Sequence, residues 1–169
     1  TSHKYQKPRE YVSGEAHYYK GQLYRLRIEI RNTGKQEVAI EGDYIAVYCR
    51  RQENAEDLLK EWYRLNLKEL LPPLIEKWCK RMQIEMPSFE VKSMPKRWGS
   101  CSKEKKNILF NLELAKKPIE CIDYIVVHEM IHLVERNHTD RFYRLLNTYL
   151  PEWGKLKDML NEYPVIINF

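Results

Sequence analysis

Long apolar runs are missing from this chain. No stretch of its 169 residues approaches the roughly 18 consecutive apolar positions of a membrane helix, and mean hydropathy is −0.66, so a membrane-spanning helix is excluded. Cysteine is sparse and scattered. Cys49, Cys79, Cys101 and Cys121 stand 30, 22 and 20 positions apart, with no C-x-x-C pair to build a zinc knuckle or redox motif, so free thiols are expected. No basic, apolar and small-residue series marks a signal peptide, and the expected compartment is therefore a reducing cytoplasm. Acidic residues are slightly outnumbered, 24 against 29 Lys+Arg, and the resulting +5 favours anionic partners only mildly. Repeats and low-complexity tracts are also lacking. What is abundant is aromatic surface: 4 Trp, 12 Tyr and 4 Phe exclude a disordered composition. The length suits one compact domain. Because Thr1 rather than Met stands first, a processed chain or a piece of a longer protein is expected.

Hydrophobic period divides the chain. Leu23, Leu26, Ile28 and Ile30 nearly alternate with Arg25, Arg27, Glu29 and Arg31, as on a strand with one face on a core. Asn32-Thr33-Gly34 makes a turn, and Val38, Ile40, the Gly42-Asp43 turn and residues 44–49 continue as a meander of short antiparallel strands. Residues 1–53 thus form a small antiparallel sheet. From Asn54 the period becomes helical through Leu58, Leu59, Trp62, Tyr63, Leu65, Leu70 and Leu71, until Pro72-Pro73 interrupts it. A second helix, or the same one kinked, carries Leu74 to Met82. Residues 89–94 and 108–112 are short strands around a turn-rich, basic segment at 96–106. Helices are expected over 118–136 and 139–149, and briefly after Pro151. The expected class is α+β, with residues 54–169 as the core carrying the chemistry.

His128-Glu129-Met130-Ile131-His132 is an H-E-x-x-H sequence inside the helix expected over 118–136. Positions four apart on a helix stack one above the other, so both imidazoles can grip one ion. Glu129 lies about 100° round from His128, on the flank, where its carboxylate can reach water at the metal without becoming a ligand. Chance gives such a motif in roughly one chain of this length in a hundred. Its neighbours Ile122, Ile125, Val126, Val127, Met130, Ile131, Leu133 and Val134 mark a buried helix, where unpartnered imidazoles and a carboxylate would incur several kcal/mol of desolvation. The alternative is a pair of core histidines bound to backbone carbonyls, with Glu129 ion-paired.

A catalytic zinc site usually holds three protein ligands. A continued helix would put His138 about 240° round from His132, on the wrong face, so the chain must turn. Asn137 tolerates the left-handed conformation and Thr139 can cap the next helix, which would swing His138 back toward the metal. Glu152, twenty residues after His132, is the rival third ligand.

Arg97-Trp98-Gly99-Ser100-Cys101-Ser102, residues 107–112 and the run from Asp123 through His128 and His132 to His138 resemble the YgjP-like family of metal-dependent hydrolases. The resemblance covers residues 90–155 strongly and 10–21 and the following strands more loosely. It implies a zincin-like core with His128, His132 and His138 as zinc ligands and Glu129 as catalytic base, and β-strands upstream of Thr1. Metzincins share the His-to-His interval but carry Gly where Glu135 stands. Peptidase-like chemistry is implied first, with hydrolysis of nucleoside triphosphates such as UTP as the alternative. The expected substrate is accordingly a peptide or a nucleotide. A non-catalytic zinc-stabilised module, or a nucleic-acid-binding one, is the reading of another class.

In the basic cluster Lys96, Arg97, Lys103, Lys105 and Lys106, opposed by Glu104, Arg97 is the best bidentate clamp for an anionic substrate, with Lys96 beside it. A solvated loop is the alternative. Asn111 and Tyr143 are candidate oxyanion donors. Trp98 and Trp153 are expected to anchor packing, Cys101 to be a small thiol and His17 to be structural. All-imidazole ligation favours zinc or nickel over magnesium, and the mechanism expected is hydrolysis with Glu129 moving the proton. The apolar end, residues 165–169, reads as either a docked or an exposed tail, and the sequence leaves the oligomeric state open.

Overall fold

The computed structural model describes residues 8–162; the apolar end at 165–169 lies outside the described residues. In chain order the elements are β1 (Ala16–Tyr19), β2 (Gln22–Ile30), β3 (Glu37–Glu41), β4 (Tyr44–Cys49), α1 (Ala55–Met82), β5 (Ser88–Lys92), β6 (Gly99–Ser102), β7 (Asn107–Asn111), α2 (Ile119–Ile131), α3 (Asp140–Tyr149) and α4 (Trp153–Leu160). Single 3-10 turns stand at Gln52–Asn54 and Leu112–Lys116. The class is α+β, as the change of period implies.

The first sheet has the order β1-β2-β4-β3, and it is mixed rather than the expected antiparallel meander, because β2 pairs with β4 in parallel. The turn at Asn32-Thr33-Gly34 does not close a hairpin. It carries β3 out to the edge, and the Gly42-Asp43 turn folds β4 back into the gap between β2 and β3. Ile45, Ala46 and Val47 are all buried, the continuous apolar run of a strand covered on both faces.

Helix α1 is one helix of 28 residues, with Pro72 and Pro73 inside it rather than at a break. Its buried stripe, Leu59, Tyr63, Leu67, Leu71 and Ile75, runs every fourth residue straight through the prolines. An interior proline costs about 3 kcal/mol, whereas each fully buried Leu or Ile contributes about 1.5–3 kcal/mol, so packing on both sides of the pair outweighs the penalty. The carbonyls that lose their partners belong to Lys68 and Glu69, both exposed residues. This helix joins the two sheets: Tyr63 Oη donates to the Tyr18 carbonyl at 2.5 Å, and Arg64 Nη1 donates to the Val91 carbonyl at 2.8 Å.

The second sheet has the order β5-β7-β6, with β5 parallel and β6 antiparallel to β7. Strand β6 arises in the basic segment expected to be only turns, and it forms the sheet's edge over α2. Helix α2 ends at Ile131, five residues before the expected Arg136. Its side chains from Cys121 to Ile131 are buried almost without a gap, and they join the two sheets and α1 in one apolar core.

Candidate metal centre

Helix α2 is fixed before its histidines are reached. Asp123 accepts from Trp78 Nε1 at 2.7 Å and from Lys77 Nζ at 3.0 Å, which locks its first half against α1. Its second half presents His128 and Glu129, both buried polar residues in apolar surroundings. After Ile131 the chain leaves the helix through tight turns in which the Leu133 and Val134 amides donate to the Met130 and Ile131 carbonyls. Asn137 does not take the left-handed conformation expected of it; the described non-glycine residues with positive φ are Tyr11, Lys20, Gln83 and Lys106. The reversal is instead completed by Thr139, whose amide donates to the Asn137 carbonyl and whose Oγ1 accepts from the Phe142 amide at 3.3 Å, capping α3.

This turn brings His138 onto the helix pair. One ring nitrogen from each of His128, His132 and His138 lies within 4.8 Å of the others, and the Nε2 atoms of His132 and His138 are 3.1 Å apart. His132 Nδ1 donates to the Glu135 carbonyl at 3.1 Å, which leaves its Nε2 unprotonated with its lone pair toward His138 Nε2. Beneath them the fully buried ring of Phe142 lies 5.1, 4.7 and 4.8 Å from the rings of His128, His132 and His138, an apolar floor that touches all three. Burial pushes the His132 imidazole below its ordinary pKa, and burial followed by the neighbouring His128 and His132 does the same to His138. Both rings are therefore neutral at pH 7, the state in which imidazole donates a lone pair.

Glu129 stands beside the trio. Its Oε1 lies 3.3 Å from His128 Nδ1, and its buried Oε2 makes no hydrogen bond among the described residues. Gly99 of β6 packs against it so closely that a methyl group there would come within 3.0 Å of Glu129 Cγ. The imidazoles and Glu129 open into a cleft of about 740 Å³ whose other wall is β6 and the turn after it. All four residues of β6 line that cleft, alternate ones included, as happens when a strand offers its edge rather than a face.

Over residues 1–163 the sequence matches the family model described as YgjP-like, metallopeptidase domain. The chain belongs to this family. One solved structure resembles the YgjP-like chain in fold, and a second aligns with it more weakly. The metallopeptidase zymogen of Pyrococcus abyssi abylysin aligns over 57% of this chain and 97% of its own at 18% identity, with a TM-score of 0.51. The metallopeptidase zymogen of Methanocaldococcus jannaschii jannalysin aligns over 52% and 90% at 23% identity, with a TM-score of 0.47. No curated protein matches the chain in sequence.

A metallopeptidase domain is a metal-dependent hydrolase of peptide-like substrates, and this membership lends no support to nucleotide or nucleic-acid partners. It implies a divalent metal, and the residues present fit one. Three imidazoles converge, two of them held neutral, and a buried carboxylate oxygen beside them has no hydrogen bond among the described residues. Among the described residues no helix is long and apolar enough to cross a membrane.

The other residues singled out in the YgjP-like sequence divide. Arg97 and Lys103 line the cleft, but Lys96 does not. Asn111 is fully buried, with its amide already engaged: Nδ2 donates to the Met94 and Arg97 carbonyls at 2.8 and 2.7 Å, and Oδ1 accepts from the Glu113 amide. It is no oxyanion donor. Tyr143 does not line the cleft either, its ring lying between those of His138 and Trp153 at 6.3 and 5.7 Å. The rival Glu152 stands exposed just before α4, outside the cluster of ring nitrogens. Cys101 borders the cleft, and burial pushes its thiol up to about 12, so it is no nucleophile at neutral pH. His17 is buried against Glu15, Nε2 to Oε1 at 2.6 Å. Arg136, Gly99 and Phe142 are residues that sequence reasoning missed. The second and third owe their place to β6 and α3, and no local sequence signal marks them.

Proposed function

We propose that the protein is a zinc peptidase in which His128, His132 and His138 hold the ion and Glu129 is the general base. The observation that carries this reading is the convergence of three ring nitrogens within 4.8 Å beside a buried carboxylate oxygen that has no hydrogen bond among the described residues. Zinc bound there supplies Lewis acidity, lowering the pKa of water toward about 7 and polarising a carbonyl. Glu129 Oε2 takes the proton from the attacking water and hands it to the departing amine. His132, its tautomer fixed by the Glu135 carbonyl, needs no rearrangement to donate its lone pair. Substrate backbone pairs with the outer edge of β6, the mode by which extended peptides add to a sheet. Arg97, Lys103 and Arg136 line the same cleft against a single exposed carboxylate, Glu104, so the balance of charge there attracts carboxylates on the peptide.

Elemental analysis together with peptide cleavage tests the assignment. The wild type should hold one zinc per chain, Glu129→Gln should keep that zinc and lose at least a hundredfold in kcat, and His138→Ala should lose the zinc. Full turnover in Glu129→Gln, or a full metal complement in His138→Ala, overturns it.

A further inference from the structure

A second hollow, of about 310 Å³, opens between the exit of α1, the turn joining β6 to β7 and the segment that follows His132. Ile84, Leu133 and Val134 give it apolar walls, and Glu85, Lys103 and Lys106 stand at its rim. Glu85 is already occupied with Lys106, carboxylate to Nζ at 3.3 Å. Lys103 lines this hollow and the main cleft alike, so the two adjoin across its side chain. We propose that the hollow is a specificity subsite of the peptidase, taking a bulky uncharged apolar side chain that lies three or four residues before the scissile bond.

The position follows from β6. Its Gly99 end touches Glu129, and its other end leads to Lys103 and the hollow. A strand rises about 3.3 Å per residue, so the four steps from Gly99 to Lys103 span roughly 13 Å. A peptide paired along the outer edge in the commoner antiparallel sense runs from the Lys103 end toward Gly99. Its residue over the hollow is then three or four positions on the amino side of the bond facing Glu129. The chemistry follows from the walls. An aliphatic or aromatic side chain gains by leaving water against Ile84, Leu133 and Val134, whereas Lys or Arg there meets Lys103 and Lys106. The subsite rests on the peptidase reading, since it is defined by a scissile bond.

Binding and cleavage separate the two. Fluorescent octapeptides in which one Phe is moved through an Ala, Ser and Asp background are titrated against metal-loaded full chain carrying Glu129→Gln, and the same peptides are given to the wild type for mass-spectrometric mapping of cuts. One Phe position should bind about tenfold more tightly than the Ala parent, and the wild type should cut three or four residues after it. Lys in place of Phe should lose the gain. Ile84→Lys and Val134→Lys, each added to Glu129→Gln and checked for folding by circular dichroism, should erase the ratio of Phe to Ala-parent affinity. Equal affinity for all positions, or an advantage that survives both substitutions, overturns the subsite. So does a dimer that Ile84→Lys splits in sedimentation while the peptide ratio stays put, since the hollow is then a contact between copies. A Phe advantage that both substitutions erase, with no cut by the wild type, upholds the hollow as a side-chain site and overturns the peptidase reading instead.

Discussion

Replacing Gly99 with alanine adds one methyl group at the point where β6 meets Glu129. The added carbon would stand 3.0 Å from Glu129 Cγ, 3.2 Å from the Leu109 carbonyl oxygen and 3.3 Å from Glu129 Cδ. Gly99 is not among the residues with positive φ, so its backbone suits alanine and the whole cost is steric. The Leu109 oxygen belongs to β7 and cannot yield without parting two strands, which leaves Glu129 to move by a few tenths of an ångström. Overpacking of this size costs about 1–3 kcal/mol, which for a chain of this length lowers Tm by roughly 2–12 °C. A misplacement of about 1 Å costs on the order of a hundredfold in rate, so a shift of a few tenths should lower kcat about tenfold. No imidazole atom is among the three nearest to the added carbon, and metal content should not change. The assay is a melting curve, elemental analysis and peptide turnover on the same preparation. Gly99→Ala with undiminished kcat, or with a loss that tracks lost metal, refutes the claim that this glycine sets the position of the proposed base.

Two further substitutions probe the frame. Gly21, at φ +83, joins β1 to β2 with its amide on the Lys116 carbonyl, and a methyl group there would sit 2.7 Å from Pro118 Cγ at the start of α2. Gly21→Ala combines about 1–2 kcal/mol of left-handed strain with that clash and should cost about 2–4 kcal/mol in urea unfolding, a loss below 1 kcal/mol being the contrary result. Lys117 is buried, its Nζ donating to the Glu162 carbonyl at 2.6 Å, and burial pushes its pKa down to about 8 from the ordinary 10.5. Between those values the unfolded chain holds the extra proton, so this residue's contribution to stability grows as pH rises through the window. Relative to the wild type, Lys117→Met should lose on the order of 1–2 kcal/mol between about pH 7.5 and pH 10, and a pH-independent difference contradicts it.

The parts of this molecule legible in its sequence are those set by near neighbours. His128, Glu129 and His132 follow from one helical turn, and Thr139 announces the cap that brings His138 round, although the left-handed Asn137 expected alongside it is absent. The alternating Leu23 to Ile30 run gives β2, and the change of period after Asn54 gives α1. What stayed hidden depends on partners far away in sequence. The parallel pairing of β2 with β4 is decided by which strand has both faces covered, and the turn at Asn32-Thr33-Gly34 carries no trace of it. Pro72-Pro73 reads as a break because local cost is visible and the packing of Leu71 and Ile75 is not. Gly-Ser-Cys-Ser has neither alternation nor branched residues, so β6 exists only because β7 supplies its hydrogen bonds.

That hidden strand is what gives the motif its second wall, and the segment leading into it is pinned from several directions. Asn111, at the end of β7, holds the Met94 and Arg97 carbonyls with its side-chain amide, and its backbone amide donates to the Trp98 carbonyl at 2.9 Å. Trp98 is buried with its Nε1 on Asn161 Oδ1 at 3.1 Å, just past α4, and Lys117 lies over its indole ring at 5.5 Å. Arg97 and Gly99 flank that anchored indole, one reaching the cleft and the other touching Glu129. The amide that resembles an oxyanion donor in the sequence thus acts one step further back. By tying 94–98 to β7 it places Gly99, and Gly99 in turn limits where the Glu129 carboxylate can stand. A histidine-bearing helix alone could gather its imidazoles, but the position of the Glu129 carboxylate beside them is limited by a strand that adds no residue to that cluster.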